Sequence, residues 1–237
     1  PVAMDLSEAY IRAGIRELIA QCQGRPEYVV ASDGAAYAVE YPDSECCLDL
    51  GNKIALVTGA AGAIGAGICR GLLKRGAYVA AADVAPSALD RLLAELPDRR
   101  RTMGVVMDVS NPASVSAGFD AVCAEWGGVE IVVPNAGIAM VATLVDMDFE
   151  RFRQLERVNV EGTLLTLAEA GRRMIRQGTG GDIVLVSTKN VFAPGAQFGA
   201  YSSTKAAAHQ LARIAGLEFA PHRSEERRVG KECRSRW

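Results

Sequence analysis

The chain has 237 residues, 49% hydrophobic and 23% charged, the composition of a globular protein long enough to bury a sizeable core. A net charge of −2 offers no footprint for nucleic acid or an acidic membrane surface. No apolar run reaches the roughly 18 residues of a membrane span, and the start has no basic-then-apolar leader pattern, so the cytoplasm is the expected location.

Residues 1–50 form a unit of their own in the sequence. SEAYIRAGIRELIAQC predicts an amphipathic helix through Ile11, Ile15 and Leu18, and EYVVASDGAAYAVEY predicts two strands around an Asp33-Gly34 turn. This stretch reads as an appendage or the end of an upstream domain, and Pro1 in place of Met implies a missing or processed start.

From residue 51 the chain alternates short apolar strands with helical periodicity, which predicts an α/β fold with a Rossmann-type, doubly wound parallel sheet over 51–222. Strands are expected at 54–59, 77–83, 104–109, 129–137 and 181–188. The first helix, 63–76, carries Ile64, Ile68 and Leu72 as one apolar face. A second helix spans 112–126 with Val115, Phe119, Val122 and Trp126 inward, a long one runs through 149–177, and a last one covers 201–220.

The final segment, 223–237, changes character, with six basic and three acidic residues among fifteen. RSEERRVGKECRSRW matches the conceptual translation of a common sequencing adapter, so His222 is expected to be the last genuine residue. A sheet that stops there is incomplete at its C-terminal side, leaves its fifth strand with an open edge, and is expected to be poorly stable and inactive in this form.

The six cysteines, at 22, 46, 47, 69, 123 and 233, show no C-x-x-C pairing and read as buried reduced thiols. Two histidines, His209 and His222, argue against a histidine-rich metal site or a Ser-His-Asp triad, and no metal is expected.

TGAAGAIG (58–65) follows a predicted strand and opens a predicted helix. A pyrophosphate needs bare backbone amides at a helix N-terminus, which Gly59, Gly62 and Gly65 can supply. Asp83 ends the second strand, where a carboxylate accepts hydrogen bonds from both ribose hydroxyls of NAD and repels a 2′-phosphate. Neither Ala60 nor Ala61 offers a counter-charge for such a phosphate, so NAD is the expected cofactor. A tight turn that binds nothing, closed by an aspartate capping the strand end, is the alternative.

YSSTK (201–205) places a phenol and an ammonium one helical turn apart. Free tyrosine, with a pKa of about 10, is a poor base at neutral pH. Lowering that value to about 7 requires roughly 4 kcal/mol of preferential phenolate stabilisation. Lys205 has the right charge to contribute, although a Tyr-x-x-x-Lys pair also arises by chance.

Thr58-Gly59 with Gly65, Asp83, Asp108-Val109, Asn135-Ala136-Gly137, Asn159 and Tyr201-x-x-x-Lys205, in this order, resemble a short-chain dehydrogenase/reductase over about residues 51–222. The resemblance implies that Thr58, Gly59, Gly62, Ala63, Ile64 and Gly65 form the cofactor loop, with Ala63 where the family often has a glycine. It further implies that Asp108 and Val109 border the adenine and that Asn135, Ala136 and Gly137 support the cofactor strand. Lys205 would bind the nicotinamide ribose, and Asn159 would hold a proton-relaying water. A hydroxyl thirteen residues before the tyrosine would orient the substrate oxygen. That spacing favours Thr188 over Ser187, and adjacent strand residues face opposite ways, so only one can serve.

STKNVFAPGAQFGAY (187–201) is similar to dehydrogenases of sugar-derived aldehydes and polyols, among them sorbitol-6-phosphate dehydrogenases and the dehydrogenase half of fused aldolase–dehydrogenases. Lys189 and Asn190 carry that likeness, and also suit loop solvation and turn formation. AVEYPDSE (38–45) is faintly similar to the connector of the fused proteins. The implied activity is NAD-dependent interconversion of an alcohol or polyol hydroxyl with its carbonyl, in a homo-oligomer built on the 149–177 and 201–220 helices. A non-catalytic NAD-binding regulator on the same fold is the competing reading.

Overall fold

A computed structural model describes residues 28–30, 36–38 and 49–222. The predicted N-terminal helix, the Asp33-Gly34 turn, the charged C-terminal segment and Cys22, Cys46, Cys47 and Cys233 lie outside the described residues. Strands β1 (Tyr28–Val30) and β2 (Ala36–Ala38) pair antiparallel, as the two-strand expectation requires.

Five parallel strands form the main sheet in the order β5-β4-β3-β6-β7. They are β3 (Ile54–Thr58), β4 (Tyr78–Asp83), β5 (Thr102–Val106), β6 (Ile131–Val133) and β7 (Asp182–Ile183). β3 is central and buried along its whole length, as a parallel strand covered on both faces must be. Its side chains alternate between two cores. On one side Ile54 and Leu56 meet Val115, Phe119, Val122 and Trp126 of α3 (Pro112–Trp126) and Ala170 and Met174 of α5 (Gly162–Gln177). On the other side Val57 meets Cys69 and Leu73 of α1 (Ala63–Lys74) and Leu89 and Leu92 of α2 (Pro86–Glu95).

Helix α3 has the bounds the sequence predicts because both ends are written in its residues. The Asn111 side chain accepts from Ala113 N and Ser114 N, Pro112 follows it, and Gly127 closes the helix at φ 85°. Helix α2 adds to the expected elements: Pro86 opens it, Leu89 and Leu92 give it a buried face, and the buried Leu96 follows its end.

Two expectations are corrected. The buried face of α1 is Gly65, Ala66, Cys69 and Leu73, while Ile64 is 65% exposed. The first turn approaches the sheet so closely at Gly65 that Ile64 is turned outward, while Ile68 and Leu72 remain partly buried against the core. The long helix is not continuous α-helix: α4 (Phe149–Leu155) passes through a π-helical turn, Glu156–Glu161, into α5. The wider turn inserts one extra residue and redirects the side chains around it.

The third strand begins earlier than expected, at Thr102, because Asp98 anchors its entry through bonds from Arg101 and the Thr102 hydroxyl. β7 is short, but bonds from Val184 N to Val132 O and from Val186 N to Pro134 O carry its pairing onward. Among the described residues β7 has a strand neighbour on one side only. Cys69 and Cys123 are buried free thiols, and burial pushes the Cys69 thiol up to about 12. Among the described residues no helix is long and apolar enough to cross a membrane.

Phe119 is fully buried between α3 and the sheet. Phe119→Ala is expected to lower unfolding stability by about 3–5 kcal/mol, read from the urea midpoint at unchanged slope.

Candidate active site

The predicted site residues gather at the C-terminal ends of the strands, where ligands bind in open α/β sheets. Thr58 ends β3, and its hydroxyl accepts from Asn135 N and Ala136 N, both at 3.0 Å. Asn135 Nδ2 returns two bonds, to Thr58 O at 2.9 Å and Gly59 O at 3.0 Å. This lock brings the ends of β3 and β6 so close that a Cβ on Gly59 would lie 2.8 Å from Ala136 Cα. Gly59 itself sits at φ +62°, and a Cβ on Gly65 would lie 2.3 Å from Gly59 O.

Gly62 differs from both. A Cβ there would meet only Gly59 O, at 3.5 Å, so the surface before α1 is open. No side chain caps α1, and Gly62, Ala63 and Ile64 are exposed. The first amides of a helix have no intrahelical acceptor, so this end is free to bind an anionic group. Asp83 stands beside it at the end of β4, with Oδ2 accepting from Ala61 N at 3.0 Å and Oδ1 from Ala85 N at 3.1 Å. Each oxygen keeps a further lone pair for a ligand hydroxyl. Asp108 accepts from the Ser110 amide and hydroxyl, and Val109 is buried against Gly162 at the start of α5.

The four catalytic candidates come from three segments. Tyr201 and Lys205 share one face of α6 (Gly199–Phe219). The half-buried Tyr201 lies against the cluster of Met140, Leu155 and Ala200. Lys205 is only 6% exposed, and its Nζ donates to Val186 O at 2.9 Å. Burial lowers the Lys205 pKa below the usual lysine value. Two residues beyond that carbonyl, Thr188 is half-buried at the mouth of the sheet while Ser187 is exposed. The Thr188 hydroxyl accepts from Asn190 N at 3.3 Å, opening the short 3-10 turn Lys189–Val191, which leaves its proton available to a ligand oxygen.

Asn159 lies in the π-helical turn and is 1% exposed, rather than an outward polar residue. Its Oδ1 accepts from Ile138 N at 2.9 Å, and its Nδ2 donates to Ile138 O at 2.9 Å and to Thr204 Oγ1 at 3.0 Å. Gly137 is wedged between two candidates, since a Cβ there would lie 3.2 Å from Asn159 Oδ1 and 3.7 Å from Lys205 Nζ. The sequence reading missed Thr204, Ile138 and the Val186 carbonyl. Thr204 had a signal in its place next to Lys205, whereas backbone partners leave none.

The family model for short chain dehydrogenases matches residues 53–225, and the chain belongs to that family. It is 31% identical to the uncharacterized oxidoreductase YuxG of Bacillus subtilis, over 81% of this chain and 30% of that protein. It is 34% identical to D-threitol dehydrogenase of Mycolicibacterium smegmatis, over 72% of this chain and 65% of that protein. The structure of NAD+-bound xylitol dehydrogenase superimposes with a TM-score of 0.70 at 28% identity, covering 74% of this chain and 68% of the other. The chain thus spans less than two thirds of the length of both curated relatives. The parallel sheet with its flanking helices agrees with that family assignment.

Lys205→Met is expected to raise the thermal midpoint of the cofactor-free protein at pH 7 by a few degrees, a gain of about 1 kcal/mol. The sign follows from the lowered lysine pKa: at low pH the folded state must bury an ammonium, and as pH rises it sheds that proton before the unfolded chain does. The gain therefore shrinks toward about pH 10.4, the ordinary lysine value, in calorimetric scans.

Proposed function

We propose that this domain, in its whole protein, is an NAD-dependent dehydrogenase that interconverts a secondary alcohol, of polyol or sugar type, with its carbonyl. The observation that carries the reading is the buried Lys205 ammonium one turn after Tyr201 and beside Gly137, at the same sheet edge as the uncapped α1 and Asp83. Burying an ammonium destabilises a fold, and a nearby phenolate or ligand hydroxyl offsets that cost.

The residues fit a dinucleotide. Gly59, Gly62, Ala63, Ile64 and Gly65 form the bare helix entrance, Asp83 takes the adenosine ribose, and Asp108 and Val109 border the adenine. Thr58, Asn135, Ala136 and Gly137 hold the cofactor-facing strand end, and Lys205 takes the nicotinamide ribose. When bound, the nicotinamide supplies the hydride acceptor or donor. Thr188 donates its free proton to the substrate oxygen and so places it. Tyr201 takes the hydroxyl proton during oxidation and returns it during reduction. Lys205 stands one helical turn along the same face, with its ammonium held by Val186 O. Asn159 keeps Ile138 in place, and its main chain is the proposed seat of a relaying water.

The polyol class rests on the names of the relatives and on Lys189-Asn190. The match to YuxG extends beyond residues 53–225 and uses under a third of that protein, which supports residues 1–50 as the end of an upstream domain, with 51–222 as the dehydrogenase domain. The exposed Leu164, Ile214 and Leu217 on α5 and α6 support a homo-oligomer through those helices. The non-catalytic regulator is disfavoured because all four catalytic positions carry functional groups.

The test uses protein expressed from its whole genomic reading frame, with threitol, xylitol and sorbitol. Tyr201→Phe is expected to lower polyol-dependent NADH formation by about 10²–10⁴-fold while NADH binding by fluorescence is retained. Wild-type protein that binds NADH but oxidises no polyol or related alcohol would sink the reading. Asp83→Asn is expected to reduce the preference for NAD over NADP by about tenfold, compared through kcat/KM.

A further inference from the structure

Three hydroxyl residues separate Tyr201 from Lys205, and the fold uses them differently. Ser203 makes an ordinary back-bond to Ala200 O, and the buried Ser202 hydroxyl has no partner among the described residues. Thr204, 2% exposed, is engaged twice: its hydroxyl donates to Tyr201 O at 3.0 Å and accepts from Asn159 Nδ2 at 3.0 Å. A hydroxyl has a single proton, so the bond to Tyr201 O fixes a lone pair toward the amide of Asn159.

Asn159 holds Ile138 by both its N–H and its C=O. Ile138 directly follows the Asn135–Gly137 segment. The chain of bonds therefore runs from the helix that bears Tyr201 and Lys205, through Thr204 and Asn159, to the strand end beside them. Gly137 lies alongside both groups, since a Cβ added there would sit 3.2 Å from Asn159 Oδ1 and 3.7 Å from Lys205 Nζ.

We propose that Thr204 is a positioning residue: it sets the amide orientation of Asn159 and, through Ile138, the register between the Tyr201–Lys205 pair and the Asn135–Gly137 segment. The role in turnover rests on the dehydrogenase reading, while the placement of Ile138 does not.

Thr204→Val keeps the shape and removes the hydroxyl, and Thr204→Ser keeps the hydroxyl. Thr102→Val is the control, since that hydroxyl bonds Asp98 O at the far end of the sheet. The measurements are hydrogen exchange at the Ile138 amide, NADH affinity and steady-state kinetics, on the protein from the whole reading frame. Thr204→Val is expected to speed Ile138 exchange about tenfold and to lower kcat about tenfold, with KM and NADH affinity within about twofold. Thr204→Ser is expected to stay within about twofold of wild type in all of these. Should Thr204→Val not fold, Thr204→Cys, a weaker hydrogen-bonding group of similar size, carries the same expectation. The proposal is overturned by unchanged Ile138 exchange in the folded variant, by equal impairment of Thr204→Ser, or by the same kcat loss in Thr102→Val. If wild type binds NADH but oxidises no alcohol, the dehydrogenase reading fails, and Ile138 exchange alone decides for or against Thr204.

Discussion

The hydroxyl of Thr58 is the constraint on which the site is built. It accepts two amides from the end of β6 while Asn135 bonds back to two carbonyls at the end of β3. Four bonds between two strand ends leave no room for a side chain at Gly59, and they fix the direction in which the chain leaves the sheet. The turn must then be left-handed at Gly59, and α1 must begin hard against it at Gly65. The same geometry leaves the opening around Gly62 clear and, among the described residues, the first turn of α1 without a side-chain cap. A threonine and an asparagine, both able to donate and accept, satisfy the backbone at this junction so that the neighbouring turn can remain unsatisfied.

The second half of the site depends on α5 and α6. The π-helical turn carries Asn159 inward, where it meets Ile138 and Thr204. Thr163 and Thr166 hydroxyls bond the carbonyls of Asn159 and Gly162, around the point where the helix changes pitch. These polar groups are well satisfied, whereas Lys205 is buried with a lowered pKa and a backbone carbonyl as its acceptor. Burial therefore works against stability at Lys205 and is compensated by hydrogen bonds at Asn159.

Much of the sheet was legible because each strand is a short apolar run between turn residues, and α3 announces both of its ends through Asn111, Pro112 and Gly127. Helix α2 was equally well marked by Pro86 and its leucines, yet went unassigned. The orientation of α1 was not legible: isoleucines spaced by four look like a core face, but the close approach at Gly65 selects the smaller neighbours. The π-helical turn was hidden as well, because hydrophobic periodicity over 149–177 averages across a single inserted residue.

The sequence by itself determined the alternation of strands and helices, the family, and the order in which Thr58, Asp83, Asn135, Asn159, Tyr201 and Lys205 occur. Those are properties of spacing and local chemistry, which survive in a linear string. Only the tertiary structure decided which faces are buried, that both ends of the Asn159 amide are engaged, that Lys205 bonds Val186 O, and that Thr204 joins two helices to a strand end. Each of these depends on backbone atoms or on residues brought together from 19 to 45 positions apart. Backbone donors and acceptors are the same at almost every position, so no residue type marks in advance which of them a side chain will meet.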